Sequence, residues 1–279
     1  MAFKTVFLTG CSSGIGLASA KVFFSLGWNV VATMRTPTPE HELCAISDAR
    51  MLVLRLDVQD LASIAAAVDE AVRKFGTVDV LVNNAGYGLG GLFEAIPREK
   101  VQEQFDVNLF GVMDVTRAFL PHLRANPGGA VIVNVSSGAG FWALPMTTMY
   151  NASKFALEGF TEALSYELAS QNILVKSVIP HGGVSSTDFN TRFGASMAND
   201  PKLATYLPFM EKTGESFGKM IAGTSVSSTD VAETIRAAAT DGTNQLRYFI
   251  GNDARGFLKA RYASNSDAEY MQTMRSFFD

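Results

Sequence analysis

The chain has 279 residues, of which 47% are hydrophobic and 18% are charged, an ordinary balance for a globular enzyme with a large core. Its formal net charge of -4, without any block of like charges, argues against a nucleic-acid-binding protein. The only two cysteines, Cys11 and Cys44, match neither a metal site nor a disulfide framework, so we expect no metal and a reducing, cytoplasmic compartment.

The first predicted element is Thr5–Thr9, an apolar run that is far too short for a signal peptide and predicts a buried strand. No stretch reaches the roughly 18 apolar residues that a transmembrane helix needs, so we expect no membrane span. Further strands are predicted at Trp28–Met34, Met51–Leu56, Val78–Val82, Val131–Val135, Leu174–Ile179 and Arg247–Ile250.

Apolar residues at helical spacing separate these strands. They mark helices at Gly14–Leu26, from Ile64 to Phe75, over one long stretch at about Val101–Leu123, and at about Tyr150–Ala169. Apolar strands with helices between them indicate a parallel sheet that is covered on both faces. The sequence therefore predicts one α/β domain, residues 1–279, with a doubly wound, seven-stranded parallel sheet (Rossmann-like) that binds ligands beyond the carboxyl ends of its strands.

A glycine-rich loop, Thr9-Gly10-Cys11-Ser12-Ser13-Gly14-Ile15-Gly16, follows the first predicted strand. Glycines permit the tight turn and the close approach of a cofactor, and the first turn of the next helix offers N–H groups to a pyrophosphate. The alternative is a glycine-rich turn that binds nothing, and the loop alone fits both interpretations.

Candidate catalytic residues follow the fifth predicted strand. Of the serine pair that follows it, Ser136-Ser137, the second is the candidate, and Tyr150 and Lys154 lie four positions apart on one helix face. We expect the ammonium, together with an oxidised nicotinamide, to lower the pKa of the Tyr150 phenol from its ordinary value near 10. Tyr150 would then act as general acid or base, with Ser137 holding the substrate oxygen. Taken alone, the Tyr/Lys pair also fits a solvated helix face.

The glycine loop, Asn83-Asn84-Ala85-Gly86, Ser137 and the Tyr150/Lys154 pair occur in this order, each after the expected strand. In this order and spacing the chain resembles the short-chain dehydrogenase/reductase family in its compact, single-domain form. The resemblance covers most of the chain, from the first predicted strand to the seventh.

This resemblance implies an oxidoreductase that moves a hydride between a nicotinamide cofactor and a carbonyl or alcohol. It implies that Tyr150 transfers the proton, Lys154 holds the nicotinamide ribose, Ser137 positions the substrate and Asn108 supports a relay water. It also implies cofactor contacts, made by Gly10, Ser12, Ser13, Ile15, Gly16, Asp57, Val58, Asn83, Ala85, Gly86, Tyr150, Lys154, Pro180 and Thr187.

One stretch departs from the family pattern, because Pro180 to Thr187 is longer than the usual Pro-Gly-to-Thr spacing. Ser185 or Ser186 could therefore take the place of Thr187. His181 could be catalytic, but it has no partner in the sequence and could equally be structural.

The end of the second strand bears on the choice between NADP and NAD. An NAD enzyme places an acidic residue there for the ribose diol, whereas this strand ends in Met34 followed by Arg35. A guanidinium pairs bidentately with phosphate, so Arg35 favours NADP, with NAD still possible. The alternative is that Arg35 only solvates the start of a loop.

The segment 185–226 is rich in bulky apolar residues and is expected to form a flap over the substrate, which predicts a bulky apolar ligand, as in hydroxysteroid- or retinol-dehydrogenase-like members. The flap residues concerned include Phe189, Phe193, Met197, Phe209, Met210, Phe217 and Met220. Phe141, Trp142 and Leu144 are expected to line the other side of the pocket, and the helical tail 251–279 to close it or to form a subunit contact.

The resemblance also implies a homodimer or homotetramer that pairs through the two long central helices. Two other functions remain open at this point. A non-enzymatic NADP-binding redox regulator could use the same fold, although it would not need Ser137, Tyr150 and Lys154. An epimerase or dehydratase is disfavoured, because the chain is short and its glycine spacing is of the compact type.

Overall fold

The computed structural model of the protein describes residues 3–185, 201–221, 226–253 and 256–278. The strands within these ranges are β1 (Thr5–Leu8), β2 (Asn29–Met34), β3 (Met51–Arg55), β4 (Val80–Asn83), β5 (Ala130–Val135), β6 (Ile173–Pro180), β7 (Val184–Ser185), β8 (Val226–Ser227) and β9 (Arg247–Ile250). Seven of them form one parallel sheet in the order β3-β2-β1-β4-β5-β6-β9. The predicted seven-stranded, doubly wound sheet is confirmed, and its strands begin and end within two residues of the predicted positions.

The small pair β7–β8 lies outside this sheet and joins the two ends of the predicted flap. The sequence did not predict it, because each strand is only two residues long and carries no alternating pattern.

The helices are α1 (Gly14–Ser25), α2 (Leu61–Phe75), α3 (Arg98–Phe105), α4 (Gly111–Ala125), α5 (Thr148–Ala169), α6 (Leu207–Ile221), α7 (Ser228–Thr240), α8 (Phe257–Ala263) and α9 (Asp267–Arg275). The long helix predicted at Val101–Leu123 is interrupted, because a π-helical turn, Asp106–Phe110, separates α3 from α4. A π turn adds one residue without ending the helix, so the apolar stripe continues across it and does not reveal it. No helix in the described ranges is long and apolar enough to cross a bilayer.

Alternate residues of the central strands point to opposite faces of the sheet, which gives the fold two cores. Val6 of β1 packs with Phe23 of α1 and Ile235 of α7 on one face. Phe7 packs on the other face with Phe119 of α4, at a ring-centroid distance of 4.5 Å. Fully buried apolar strands of this kind are stable only when helices cover both faces.

The chain reverses its direction of winding between β1 and β4, which are neighbours in the sheet. The loops after these two strands therefore diverge to opposite faces and leave a crevice at the carboxyl edge. This crevice is where the sequence motifs converge.

The predicted flap and tail are described in part. Residues 186–200 and 222–225, with Phe189, Phe193 and Met197, lie outside the described residues. The described part of the flap contains a 3-10 turn, Pro201–Tyr206, and α6. The tail contains α8 and α9, which pack around Trp142 in a third apolar cluster that also includes Phe217 of α6.

Candidate active site

A cavity of about 420 Å³ occupies the crevice at the carboxyl ends of the strands. The structure gathers around it most of the residues predicted to bind the cofactor or to catalyse, although they are spread over 145 positions of the sequence. Those lining the cavity are Gly10, Ser12, Ser13, Ile15, Arg35, Asp57, Val58, Ala85, Gly86, Tyr150 and Lys154.

The glycine loop forms one wall of this cavity. Gly10 has φ +72, a left-handed conformation that glycine adopts without strain. A Cβ at Gly16 would lie only 2.2 Å from the Gly10 carbonyl oxygen, so Gly16 serves the close packing of the loop rather than the cavity lining. Ser13, the N-cap of α1, makes no side-chain cap with the described residues, and the first N–H groups of α1 remain available at the cavity. These features fit a pyrophosphate group.

The loop after β4 is fastened to the glycine loop by Asn84 and Thr9. The Asn84 side chain donates to the Thr9 carbonyl at 2.9 Å and to the Gly10 carbonyl at 3.1 Å. The Thr9 hydroxyl in turn accepts from the backbone N–H groups of Asn84 and Ala85, both at 3.0 Å. Asn84 therefore holds the two cavity walls together and lines the cavity itself.

Asn83, the asparagine predicted to border the riboses, has a different position. It is 2% exposed, and its side chain donates to the Thr116 hydroxyl and to Asn134, beneath the sheet edge. Strand geometry explains the difference, since successive side chains of β4 point to opposite sides and only one of the two asparagines can face the cavity. Asn84, and not Asn83, lines the cavity, and the contact of Asn83 with a cofactor stays a prediction.

Arg35 lines the cavity beside Met34, at the end of β2, as the strand order required. Its guanidinium is exposed and makes no hydrogen bond or ion pair with any described residue. An exposed, unpaired cation at a cavity rim is free to bind an anionic group. His41, which was not predicted as a site residue, contacts the glycine loop, with its Nε2 3.1 Å from the Ser12 carbonyl oxygen.

Tyr150 lies at the opposite end of the cavity, near the amino end of α5, and is 9% exposed. Burial raises the pKa of its phenol to about 12, while a hydrogen bond from the Ser137 hydroxyl acts in the opposite direction. The prediction that Lys154 lowers the pKa of the Tyr150 phenol is therefore wrong for the protein without a cofactor. Removal of the phenol from water outweighs the effect of the neighbouring side chains.

Lys154 follows one helical turn later and is 6% exposed. Its ammonium donates to the Val135 carbonyl at 3.0 Å, which directs it to the end of β5. Burial lowers the pKa of Lys154 to about 8, and the negative charge of Glu158 opposes this. Glu158 is itself buried, and it accepts from the Ser177 hydroxyl at 2.5 Å and from Arg247 Nε at 3.0 Å.

Asn108 lies in the π turn and is 1% exposed. Its side chain accepts from the Tyr87 N–H and donates to the Tyr87 carbonyl and to the Ser153 hydroxyl. Asn108 therefore joins the loop after β4 to α5, directly behind Gly86, where a Cβ would approach its Oδ1 to 3.2 Å. The side chain is occupied by protein partners, and the expected relay water at Asn108 stays a prediction.

The loop after β6 is described only at its beginning. Pro180 ends β6, is buried and does not line the cavity, while Thr187 and Ser186 lie outside the described residues. The Ser185 hydroxyl donates to the Val226 carbonyl at 3.2 Å within the β7–β8 pair. His181 is 8% exposed, and burial lowers its pKa while Asp253 opposes this.

Phe141 and Trp142, expected to line the substrate pocket, belong to the apolar cluster that includes the tail, and their contact with a substrate stays a prediction. Trp142 is 4% exposed, with ring-centroid distances of 5.6 Å to His181 and 5.9 Å to Phe257. The ring of Phe141 contacts Phe249 at 5.0 Å. Burial against α8 could not be predicted, because the sequence does not show which surface the tail covers.

Several residues of the cavity lining were not predicted from the sequence. Besides Asn84 they include Met34, Gln59, Tyr87, Glu103, Val107 and Ser136. Ser136 and Tyr87 stand directly beside motif residues, so their adjacency was an available signal. Glu103 and Val107 come from α3 and the π turn, and nothing in the sequence indicates that these residues line the cavity.

Comparison with known proteins points to one family. A family model described as short chain dehydrogenase matches residues 4–197. An uncharacterized oxidoreductase of Schizosaccharomyces pombe is 41% identical over 181 residues, which are 64% of this chain and 61% of the relative, so the match spans less than two thirds of that protein. The 17-beta-hydroxysteroid dehydrogenase type 1 of Homo sapiens is 33% identical over 285 residues, 98% of this chain and 85% of the human protein.

Solved structures show the same fold. A short-chain dehydrogenase from Streptomyces avermitilis superposes with a TM-score of 0.82 at 29% identity, covering 99% of this chain and 97% of that one. A 3-ketoacyl-(acyl-carrier-protein) reductase from Brucella melitensis, solved in complex with NADH, gives a TM-score of 0.74 at 26% identity, covering 90% and 97% of the two chains.

Proposed function

The chain belongs to the short-chain dehydrogenase family of NAD(P)-dependent oxidoreductases that act on CH–OH groups, and on that premise we propose an NADP(H)-dependent enzyme that interconverts a bulky apolar ketone and its alcohol. Tyr150 is the proton donor and acceptor in this proposal. The observation that carries the proposal is the contact of the Ser137 hydroxyl with the Tyr150 phenol. Tyr150 lies one helical turn before the buried Lys154. Both residues line the cavity that the glycine loop and Arg35 also line.

A bound nicotinamide dinucleotide supplies or accepts the hydride. The chain's own residues handle the proton and the binding. Because the pKa of the Tyr150 phenol is about 12, raised by burial, its Oη holds a proton at neutral pH and can donate it to a carbonyl oxygen in the reductive direction. The Ser137 hydroxyl contacts the same phenol and can hold the substrate oxygen beside it. The Lys154 ammonium, fixed by Val135, offers its remaining N–H groups to ribose hydroxyls.

The fit of the chain to a dinucleotide rests on the glycine loop. The Gly10–Gly16 approach leaves no room for a side chain, and the N–H groups at the start of α1 stand at the cavity. For the choice of NADP we rely on Arg35, which lines the cavity without a protein partner in the described ranges, and on Met34, which stands where an acidic residue would select NAD. NADP supports the reductive direction in a cell.

For the substrate class the proposal draws on the human 17-beta-hydroxysteroid dehydrogenase, whose similarity extends over 98% of this chain. It is also supported by α6, the described part of the flap, which exposes Leu207 and Phe209 to 49% and 43%. A bulky apolar ligand would cover side chains of this kind. We also propose a homodimer or homotetramer paired through α4 and α5, where Phe110 of the π turn and Phe155 of α5 are exposed.

The experiment is oxidation of NADPH and of NADH by the purified protein with bulky and small ketones, compared for the wild type and Tyr150→Phe. The proposal expects turnover of bulky ketones with NADPH, and its loss in the variant. The redox regulator would be favoured instead if the protein binds the cofactor tightly but turns over no carbonyl compound. Tyr150→Phe would then keep the biological effect of the wild type.

A further inference from the structure

Two consecutive serines follow β5, and the structure gives their hydroxyls different surroundings. Ser137 has an extended backbone, with φ -164 and ψ 158, and its side chain contacts the Ala139 N–H at 3.2 Å and the Tyr150 phenol. Ser136 is anchored through its backbone, since its N–H donates to the Val178 carbonyl at 2.8 Å. In an extended segment, successive side chains point to opposite sides. The two hydroxyls therefore do not serve the same partner.

The Ser136 hydroxyl is buried and unpaired. The residue is 5% exposed, and its Oγ has no hydrogen-bond partner in the described part of the chain. Two neighbouring polar side chains are paired, because Lys154 donates to the Val135 carbonyl and the Asn134 side chain bonds Asn83 and Thr161. The Oδ1 of Asn83 is buried without a partner in the described ranges, as the Ser136 Oγ is. A buried hydroxyl without a partner destabilises a protein, so such a group is expected to find its partner in a ligand or an ordered water.

The position of Ser136 indicates which ligand group it meets. It lines the cavity together with Tyr150 and Lys154, at the end opposite the glycine loop and Arg35. Ser137 is not among the lining residues, although it touches Tyr150. A dinucleotide with its phosphates at the glycine loop places its nicotinamide half at the Tyr150 end. The carboxamide and ribose hydroxyls of that half both pair well with a serine hydroxyl, which donates and accepts.

We propose that Ser136 is a cofactor-binding residue that hydrogen-bonds the nicotinamide half of the dinucleotide, while Ser137 serves the substrate oxygen. This inference rests on the proposed function, since it requires that the cavity binds a nicotinamide dinucleotide. It divides the tandem serines between the two ligands of the reaction. One hydroxyl contributes to cofactor affinity, and the other contributes to turnover.

The test measures dissociation constants by tryptophan and reduced-nicotinamide fluorescence for the wild type, Ser136→Ala, Ser136→Thr and Ser137→Ala. The probes are NADPH and 2′,5′-ADP, which carries the phosphates and adenosine but no nicotinamide. Ser136→Ala is expected to raise the Kd of NADPH about three- to tenfold, the worth of one hydrogen bond, and to leave the Kd of 2′,5′-ADP within about twofold. Ser136→Thr, which keeps a hydroxyl, is expected to bind NADPH more tightly than Ser136→Ala does. Ser137→Ala is expected to keep the wild-type Kd and to lose turnover.

Thermal unfolding of the ligand-free proteins separates binding from a structural role. Removal of an unpaired hydroxyl should leave the midpoint of Ser136→Ala equal to that of the wild type or higher, whereas a structural role would lower it. The inference is overturned if Ser136→Ala binds NADPH as tightly as the wild type does, or if the substitution raises the Kd of NADPH and of 2′,5′-ADP by the same factor. Failure of the wild type to bind either NADPH or NADH would overturn the proposed function as well, so the two failures are distinguishable.

Discussion

Lys154 and Glu158 lie one turn apart on α5, and both side chains are buried. Burial lowers the pKa of Lys154 to about 8, and the Glu158 carboxylate opposes that shift. Ser177 and Arg247 hold this carboxylate from β6 and β9. The charge of Lys154, which lines the cavity, is therefore supported by a network of Glu158, Ser177 and Arg247, none of which lines the cavity.

Glu158→Gln should lower the pH at which activity is lost. Lys154 is charged below its pKa and neutral above it, so turnover of the wild type is expected to fall as pH rises through about 8. Without the Glu158 charge the pKa of Lys154 decreases further, and the falling limb moves to lower pH. The measurement is kcat/KM between pH 6 and 10. Glu162→Gln is the control, because Glu162 contacts the same Arg247 but is 42% exposed; equal profiles for the two variants would contradict the role of Glu158.

Tyr150→Phe should lower kcat by about 10²- to 10⁴-fold, the range for the loss of a general acid. The ring keeps its packing, so the Kd of the cofactor should rise by no more than the roughly three- to tenfold that one lost hydrogen bond contributes. Steady-state kinetics and fluorescence titration measure the two quantities. Tyr166→Phe changes a 73% exposed tyrosine of the same helix and should leave both unchanged. Retained turnover in Tyr150→Phe would assign the proton to another group.

Arg35→Ala should weaken the binding of NADPH without weakening the binding of NADH. A charged hydrogen bond contributes about 1.5–3 kcal/mol, which corresponds to a rise of roughly tenfold or more in the KM of NADPH. Arg73→Ala removes an exposed arginine that pairs with Glu70 on α2 and does not line the cavity, and it is the matched control. Equal loss of NADPH and NADH activity in Arg35→Ala would mean that the guanidinium does not select a 2′-phosphate.

Gly138→Ala should destabilise the turn that follows Ser137. A Cβ at this position would lie 2.4 Å from the Trp142 ring and 2.9 Å from the His181 Cβ. Overpacking of this kind costs about 1–3 kcal/mol and should shift Ser137, lowering kcat as well as the free energy of unfolding. Urea denaturation and kinetics measure the two effects. In Gly159→Ala the new Cβ meets nothing within 4 Å, so this helical variant should gain about 0.5–1 kcal/mol. If Gly159→Ala also lowered the free energy of unfolding, the close Cβ contacts at Gly138 would not explain the loss of stability in Gly138→Ala.

The fold could be predicted because its strands are apolar along their whole length. Val6 and Phe7 face opposite cores, and only a sheet covered on both faces buries both. The motif residues could be placed at one edge because the carboxyl ends of parallel strands meet there.

Other features depended on distances that a sequence does not contain. Asn83 and Asn84 are chemically identical neighbours, and only the direction of each side chain from β4 assigns one to the core and the other to the cavity. The raised pKa of Tyr150 follows from its burial, which a helix pattern does not give. The packing of Trp142 under α8 required the position of the tail.

The central claim is that a nicotinamide cofactor bound in the cavity would donate a hydride to the carbonyl carbon of the substrate, while Tyr150 donates a proton to the carbonyl oxygen. The most direct measurement is mass spectrometry of the product formed from a bulky apolar ketone and NADPH that carries deuterium at the transferable position of C4. We predict that the wild type forms an alcohol with one deuterium on the carbinol carbon, and that Tyr150→Phe forms almost none of this alcohol in the same time. An alcohol formed without deuterium, from NADPH or NADH labelled on either face, would contradict it.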